Sequence, residues 1–153
     1  MCSDLLLSHP EPQNLHIVPT ERDTTDNLAL SSRNVYLGPE ERKVANTLYR
    51  ALSLAKESWE AGLSKLECVA RSKELVECVM AKTGVEMGLD YVELNDSGSF
   101  EAVGDDETKM DYGTRSVLLS GALWVGRTRL IDNLILGDPV LLGILNPHVE
   151  VKV

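Results

Sequence analysis

Two serines, an arginine and an asparagine occupy consecutive positions 31–34, inside the stretch LALSSRNVYL at residues 28–37. Hydroxyl and backbone N–H groups can wrap phosphate oxygens, and the planar fork of an arginine binds phosphate through parallel hydrogen bonds. Ser31, Ser32 and Arg33 could therefore form a phosphate site. The same residue types also form ordinary turns, and Arg33 could equally be a surface charge. Residue type and spacing alone leave both interpretations open.

The overall charge makes a basic binding position a local exception. The 153 residues include 15 Lys and Arg against 24 Asp and Glu, which gives a net charge of −9 and a pI near 4.8. This acidity opposes non-specific binding to nucleic acid or to an anionic membrane, so we expect neither as a partner. No apolar run approaches the ~18 residues of a membrane span. The N-terminus has no signal-peptide pattern, so we expect a cytoplasmic protein.

The cysteines, histidines and acidic runs do not indicate a metal site. Cys2, Cys68 and Cys78 are odd in number and lack ligand-like spacing, which predicts free thiols in a reducing compartment. The three histidines are scattered, with no metal-ligand neighbour four positions on. The acidic run at 105–107 is expected to be a solvated face rather than a cation site.

The elements around the 31–34 stretch can be predicted from periodicity and capping. Residues 15–18 are an apolar run that suits a buried parallel strand, and a polar loop follows. Residues 39–61 predict one long helix, which begins at Pro39 and ends before Gly62. Its apolar face comprises Val44, Leu48, Leu52, Ala55 and Trp59.

A second helix and a set of strands complete the pattern. Ser64 and Glu67 form a capping box, and Gly84 is the expected end of that helix. Its apolar side is predicted to include Leu66, Val69, Ala70, Val76, Val79 and Met80. Strands are predicted at 91–94, 116–125 and 129–136, with a mobile acidic loop at 96–111. The predicted fold is α+β, with an αα-hairpin packed on a three-stranded antiparallel sheet.

Four further side chains have structural interpretations. Trp59 and Trp124 are expected in the core, because large aromatic side chains are usually buried. Asp132 and Asn133 could polarise a site, but on a strand before a loop they are expected to make turn or surface hydrogen bonds.

Five sequence blocks, taken in order, resemble a known family. They are IVPT at 17–20, LALSSRNVYL at 28–37, PEERK at 39–43, LDYVEL at 89–94 and ALWVGRTRLIDNL at 122–134. Together they are similar to pantothenate synthetase, the pantoate–β-alanine ligase family, over most of residues 15–136. The resemblance implies that residues 1–27 are a remnant of a Rossmann-like nucleotide-binding domain and that residues 28–136 are the C-terminal lid domain. The tail, residues 137–153, receives no role.

The resemblance implies an AMP-forming, ATP-dependent ligase. Pantoate and ATP would give pantoyl adenylate and pyrophosphate, and the amine of β-alanine would then attack to give pantothenate and AMP. Ser31, Ser32 and Arg33 would bind phosphate oxygens, as the counterpart of the KMSKS loop of class I aminoacyl-tRNA synthetases. Leu30 would line the nucleotide, and the backbone of Glu21 would touch adenine. Mg²⁺ would enter with ATP as substrate, and no tightly bound cofactor is expected.

This sequence also departs from the family pattern. Family members are considerably longer, and their ATP-contacting HxGH signature does not occur here. The resemblance therefore implies no catalytic residue in this chain, which we expect to be a truncated or split product that is inactive alone. The family forms homodimers, largely through the half that is missing here. The alternative is a non-catalytic module that pairs with a full-length subunit. Asn27 stands where the family usually has Gly.

Overall fold

Residues 20–137 are described by a computed structural model, in which helices pack on one antiparallel sheet. The elements, in chain order, are a 3₁₀ helix (Ser32–Tyr36), α1 (Pro39–Val44), α2 (Thr47–Glu60), α3 (Lys65–Thr83), β1 (Met87–Asp96), α4 (Lys109–Tyr112), β2 (Val117–Val125) and β3 (Thr128–Leu136). The sheet has the order β1-β2-β3, and α2 and α3 pack against it as an αα-hairpin. The predicted α+β fold is confirmed. The strand predicted at 15–18, the Rossmann-like remnant containing it and the tail from 138 onward lie outside the described residues.

The single helix predicted over 39–61 is wrong, because the chain forms two helices there. Helical bonding is interrupted at Ala45 and Asn46, where the Ala45 N–H binds the Arg42 carbonyl only three residues back. The Asn46 side chain donates to the Asp26 carbonyl at 3.1 Å, so it serves the preceding loop. The predicted apolar face survives the interruption. All five of its members are buried: Val44, Leu48, Leu52, Ala55 and Trp59.

Helix α3 begins and ends as predicted, and half of its predicted apolar side packs on the core: Val76 is buried, and Val69 and Val79 are partly buried against it. The Ser64 N–H and Oγ donate to Glu67 Oε2 at 2.9 and 3.0 Å, and Gly84 ends the helix in the left-handed conformation. Leu66, Ala70 and Met80 are exposed, contrary to prediction. The buried positions are Lys65, Cys68, Ser72 and Val76. Ser72 Oγ donates to the Ala51 carbonyl at 2.9 Å, so a small polar residue lets the two helices approach closely.

The acidic segment 96–111 has more structure than the loop predicted from its composition. Val103 is buried, and its N–H donates to the Leu94 carbonyl at 2.9 Å. Asp105 lies 3.2 Å from Lys65 Nζ, which also lies 2.5 Å from Glu93 Oε1. Burial tends to lower the pKa of Lys65, but these two carboxylates outweigh it and raise the pKa. Part of the acidic run therefore neutralises a buried cation.

The two tryptophans differ in environment. Trp59 is 2% exposed and contacts the Tyr112 ring edge-on at 5.9 Å, which confirms its predicted place in the core. Trp124 is 43% exposed, so its predicted burial is wrong. Successive strand residues point to opposite faces, and the neighbours of Trp124 on β2, Leu123 and Val125, are both fully buried. The side chain of Trp124 therefore lies on the outer face of the sheet.

Candidate functional site

The segment that carries the candidate phosphate residues is anchored at both sides of its exposed part. Leu28 is buried in the core, and Asn34 Nδ2 donates to the Ala29 carbonyl at 3.0 Å. Ser31 caps the 3₁₀ helix, because its Oγ accepts from the Arg33 N–H at 3.3 Å. Ser31, Ser32 and Arg33 are exposed. The segment therefore presents two hydroxyls and a guanidinium to solvent from a bounded stretch of backbone.

A short antiparallel bridge forms the base of this segment. Arg22 pairs with Ala29, and the Leu30 N–H donates to the Glu21 carbonyl at 2.9 Å. The intervening turn places Asn27 at φ 61°, a left-handed conformation that glycine and asparagine adopt most readily. Asparagine at position 27 can therefore adopt the conformation that this turn requires.

The bridge is tied to the sheet by a buried ion pair. Arg22 Nη1 and Nη2 bind the two carboxylate oxygens of Asp132 on β3 at 2.7 and 3.0 Å. The Arg22 guanidinium also stacks over the Tyr49 ring, 4.2 Å from its centroid. The predicted surface role of Asp132 is wrong, since its side chain is only 6% exposed. Asn133 lies exposed beside it, and the Asn133 N–H donates to Asp132 Oδ1 at 2.9 Å.

A second arginine holds the turn of the same loop. Arg42 on α1 pairs with Asp23 at 2.9 Å and also with Asp26. The Thr25 N–H, which binds the Asp23 carboxylate at 2.8 Å, is the main reason that the pKa of Asp23 is lowered; Arg42 adds to the effect. The loop before the serines is therefore fixed to α1 as well as to β3.

An open cleft of about 650 Å³ lies beside Arg33. Its lining includes Tyr36, Trp124, Arg127, Arg129 and Ile131. Arg129 is neutralised by Asp90, whose carboxylate accepts from Nε and Nη2 at 2.9 and 2.7 Å. Within residues 20–137, neither Arg33 nor Arg127 has an ion-pair partner. Two free guanidinium groups at one cleft of an acidic protein suit a polyanionic ligand.

A smaller cavity of about 40 Å³ lies behind the segment. Ser31, Arg33, Asn34 and Asp132 are among its lining residues. Asn34 Oδ1 is buried and has no hydrogen-bond partner in the described part of the chain. A buried acceptor without a partner calls for a donor, and the cavity beside Asn34 is large enough for a water molecule.

The structure places the residues predicted from sequence at one end of the sheet. Ser31, Ser32 and Arg33 lie together, and Leu30 beside them is 56% exposed. Glu21 meets Leu30 through a backbone hydrogen bond, so one lone pair of the Glu21 carbonyl is already used. Arg127 was missed by the sequence reasoning. The signal that could have found it is the pair of basic residues, Arg127 and Arg129, at the turn between two predicted strands.

Residues 20–137 provide neither a cluster of metal ligands nor a membrane-spanning helix. Residues 20–137 contain no group of three or more His, Cys, Asp or Glu side chains that could hold a metal ion. In the same range, no helix combines the length and apolar character needed to cross a membrane.

The chain was compared with known proteins. The family model described as pantoate-beta-alanine ligase matches residues 1–135. A pantothenate synthetase of Caldicellulosiruptor bescii is 42% identical over 110 residues, which cover 72% of this chain and 35% of the relative. The corresponding protein of Carboxydothermus hydrogenoformans is 43% identical over 119 residues, which cover 78% of this chain and 38% of the relative.

Solved structures agree with the sequence relatives. A crystal structure of pantothenate synthetase from Thermus thermophilus has a TM-score of 0.59 and 36% identity, covering 76% of this chain and 38% of that chain. The chain thus spans little more than a third of the length of the proteins it matches. On the family match and on these relatives, the chain belongs to the pantoate–β-alanine ligase family.

Proposed function

We propose that this chain forms the C-terminal lid of a pantoate–β-alanine ligase, spanning residues 28–136, and that its Ser31–Ser32–Arg33 stretch binds the phosphates of MgATP. The activity would be adenylation of pantoate followed by amide formation with β-alanine, with release of pyrophosphate and AMP. The supporting observation is the exposed Arg33 guanidinium, which lines an open cleft and has no carboxylate partner within residues 20–137. Family membership supplies the substrate class.

The chemistry of adenylation gives this arginine a role. The pantoate carboxylate would attack the α-phosphorus of ATP and form a new P–O bond. The bond between the α-phosphorus and the oxygen that bridges it to the β-phosphorus breaks, and negative charge develops on the departing pyrophosphate. A fixed guanidinium stabilises that charge most when the site excludes water, which closing a lid would achieve. Arg33 would bind the phosphate oxygens, and Arg127 would add positive charge from the opposite element of the cleft.

The two serines would contribute hydroxyl donors. The Ser31 hydroxyl accepts a bond from the Arg33 N–H and keeps its own proton available for a phosphate oxygen. Ser32 is the first residue of the 3₁₀ helix and is exposed, so its hydroxyl is accessible. Leu30 would cover one side of the nucleotide. Glu21 would reach adenine through its N–H or the remaining lone pair of its carbonyl.

Binding of tripolyphosphate to the full 153-residue chain tests the phosphate site. We expect the amide resonances of Ser32 and Arg33 to shift on titration, and Arg33→Gln to raise the Kd about tenfold, as loss of one charged hydrogen bond implies. Arg115→Gln is the matched control, because it removes the same charge at the other end of the sheet, where Arg115 pairs with Asp96. An unchanged Kd for Arg33→Gln would refute the phosphate assignment.

Turnover tests the second part of the proposal. Because the sequence has no HxGH motif, the purified chain with pantoate, β-alanine and MgATP should release no AMP. AMP formation would contradict this expectation. Adding the N-terminal part of a family member should restore turnover if the chain is a lid. If that part binds but turnover does not appear, the non-catalytic pairing module becomes the better interpretation.

A further inference from the structure

We infer that the Arg22–Asp132 ion pair is a positioning device, which holds the Ser31–Ser32–Arg33 stretch at the register that phosphate binding requires. This inference rests on the proposed function, but its first test below does not. Neither residue lines the open cleft beside Arg33, although Asp132 lines the smaller cavity behind Ser31 and Arg33. Arg22 would therefore act through the backbone between it and the serines.

The geometry of the pair fixes orientation as well as distance. Both terminal nitrogens of Arg22 bind Asp132, at 2.7 and 3.0 Å, so the guanidinium and carboxylate planes are joined at two points. The two side chains are only 16% and 6% exposed. Tyr49 on α2 stacks against the guanidinium, so the pair is in contact with both the helical and the sheet layers.

The backbone of Arg22 carries this constraint to the serines. Arg22 is bridged to Ala29, and the Leu30 N–H binds the carbonyl of the preceding residue, Glu21. Arg22 Nη1 also donates to the Asn27 carbonyl at 3.3 Å, on the return strand of the loop. Leu30 is adjacent to Ser31. A shift of the Arg22 backbone would therefore also move Ser31, the first residue of the Ser31–Ser32–Arg33 stretch.

Arg42 makes the other ion pairs of this loop, and they are more exposed than the Arg22–Asp132 pair. Arg42 holds the turn through Asp23 and Asp26, and its side chain is 33% exposed. The Arg42 guanidinium binds carboxylates of the turn rather than a carboxylate of β3. Arg22–Asp132 is the pair that joins the bridge to β3, whose Arg129 and Ile131 line the cleft. The Arg22–Asp132 pair therefore fixes the position of the Ser31–Ser32–Arg33 stretch relative to the part of the cleft that β3 lines.

Hydrogen exchange in the full chain without ligand is the first test. The Leu30 and Asp23 amides report on the bridge, since they donate to the Glu21 and Leu28 carbonyls. Arg22→Gln and Asp132→Asn should speed exchange at these amides while β2 amides stay protected. Arg115→Gln is a close control, since Arg115 also stacks on a tyrosine, at 4.1 Å from the Tyr112 centroid.

Tripolyphosphate affinity is the second test. If losing the pair reduces the competent loop population to about a third to a tenth, the Kd rises about three- to tenfold. Arg22→Lys keeps the positive charge but cannot bind Asp132 through two nitrogens at once. The Kd of this variant for tripolyphosphate should therefore lie between those of the parent chain and Arg22→Gln. If a single variant does not fold, Arg22→Gln combined with Asp132→Asn removes both charges without leaving one buried alone.

The outcomes separate the two ideas. Faster Leu30 exchange with a raised Kd supports the positioning role. Unchanged Leu30 exchange in folded Arg22→Gln overturns it, whatever the affinity. A Kd that responds to Arg33→Gln but not to Arg22→Gln or Asp132→Asn also overturns it and leaves the phosphate site standing. If the Kd for tripolyphosphate does not respond to Arg33→Gln but Leu30 exchange is faster in Arg22→Gln, the proposed phosphate site is refuted. The Arg22–Asp132 pair then only anchors the loop.

Discussion

Gly121 on β2 faces Leu48 and Leu52 of helix α2, and its replacement by alanine should destabilise the fold. A Cβ at this position would lie 3.0 Å from Leu52 Cδ2, 3.2 Å from Leu48 Cδ1 and 3.2 Å from the Tyr91 carbonyl oxygen. Leu48 and Leu52 are buried, and the carbonyl belongs to the neighbouring strand. Neither side of the contact can move away without disturbing the core or the sheet.

The cost can be worked out from these contacts. One methyl forced into a filled core costs about 1–3 kcal/mol, and replacing a strand glycine by alanine offsets about 0.5–1 kcal/mol of it, which leaves a net loss of about 0.5–2 kcal/mol. At roughly 4 °C per kcal/mol for a domain of this size, Gly121→Ala should lower Tm by about 2–8 °C. Urea unfolding followed by circular dichroism measures the same loss as a lower midpoint at unchanged slope.

Gly88→Ala is the matched control on strand β1. No heavy atom lies within 4 Å of its added Cβ, so alanine should stabilise the strand by up to about 0.5–1 kcal/mol. In a Leu52→Ala background the space beside Gly121 opens, so Gly121→Ala should cost at least about 0.5 kcal/mol less there. Equal effects of Gly121→Ala and Gly88→Ala, or full additivity with Leu52→Ala, would refute the packing argument.

The described cysteines and the cap of α3 give two further predictions. Burial raises the pKa of the Cys68 thiol to about 11, so iodoacetamide should label exposed Cys78 in the native chain and Cys68 only after unfolding; native labelling of Cys68 would contradict its burial. Ser64→Ala should cost about 1 kcal/mol in urea unfolding, as loss of an N-cap does. The Ser64 N–H binds the Glu67 carboxylate and lowers the pKa of Glu67 from its usual value of 4.5. The ionised carboxylate therefore stabilises the folded chain above pH 4.5, and this contribution is lost as the pH falls through the lowered pKa of the folded state. The stability difference from Glu67→Gln should therefore shrink below pH 4.5, and a constant difference would refute the cap.

Local features of the chain were predictable because their causes are local. The Ser64–Glu67 cap, the left-handed Gly84 and the buried face of α2 depend on residues within a turn or two of each other. The chemical character of the Ser31–Ser32–Arg33 stretch could likewise be interpreted directly from its adjacent positions. The break at Asn46 could not, because its cause is a carbonyl twenty residues away, in the loop at Asp26.

The arrangement of the candidate site was decided by tertiary structure. Arg22 and Asp132 are 110 positions apart, and only the packing of the 20–30 loop against β3 brings their charges together. The fold also brings Arg33 and Arg127 to one cleft, and the alternation of side chains along β2 in the sheet turns Trp124 outward. The sequence by itself determined which groups could bind a phosphate. Packing decided which arginines stay free to do so, because a guanidinium is neutralised only by an acid that the fold places beside it.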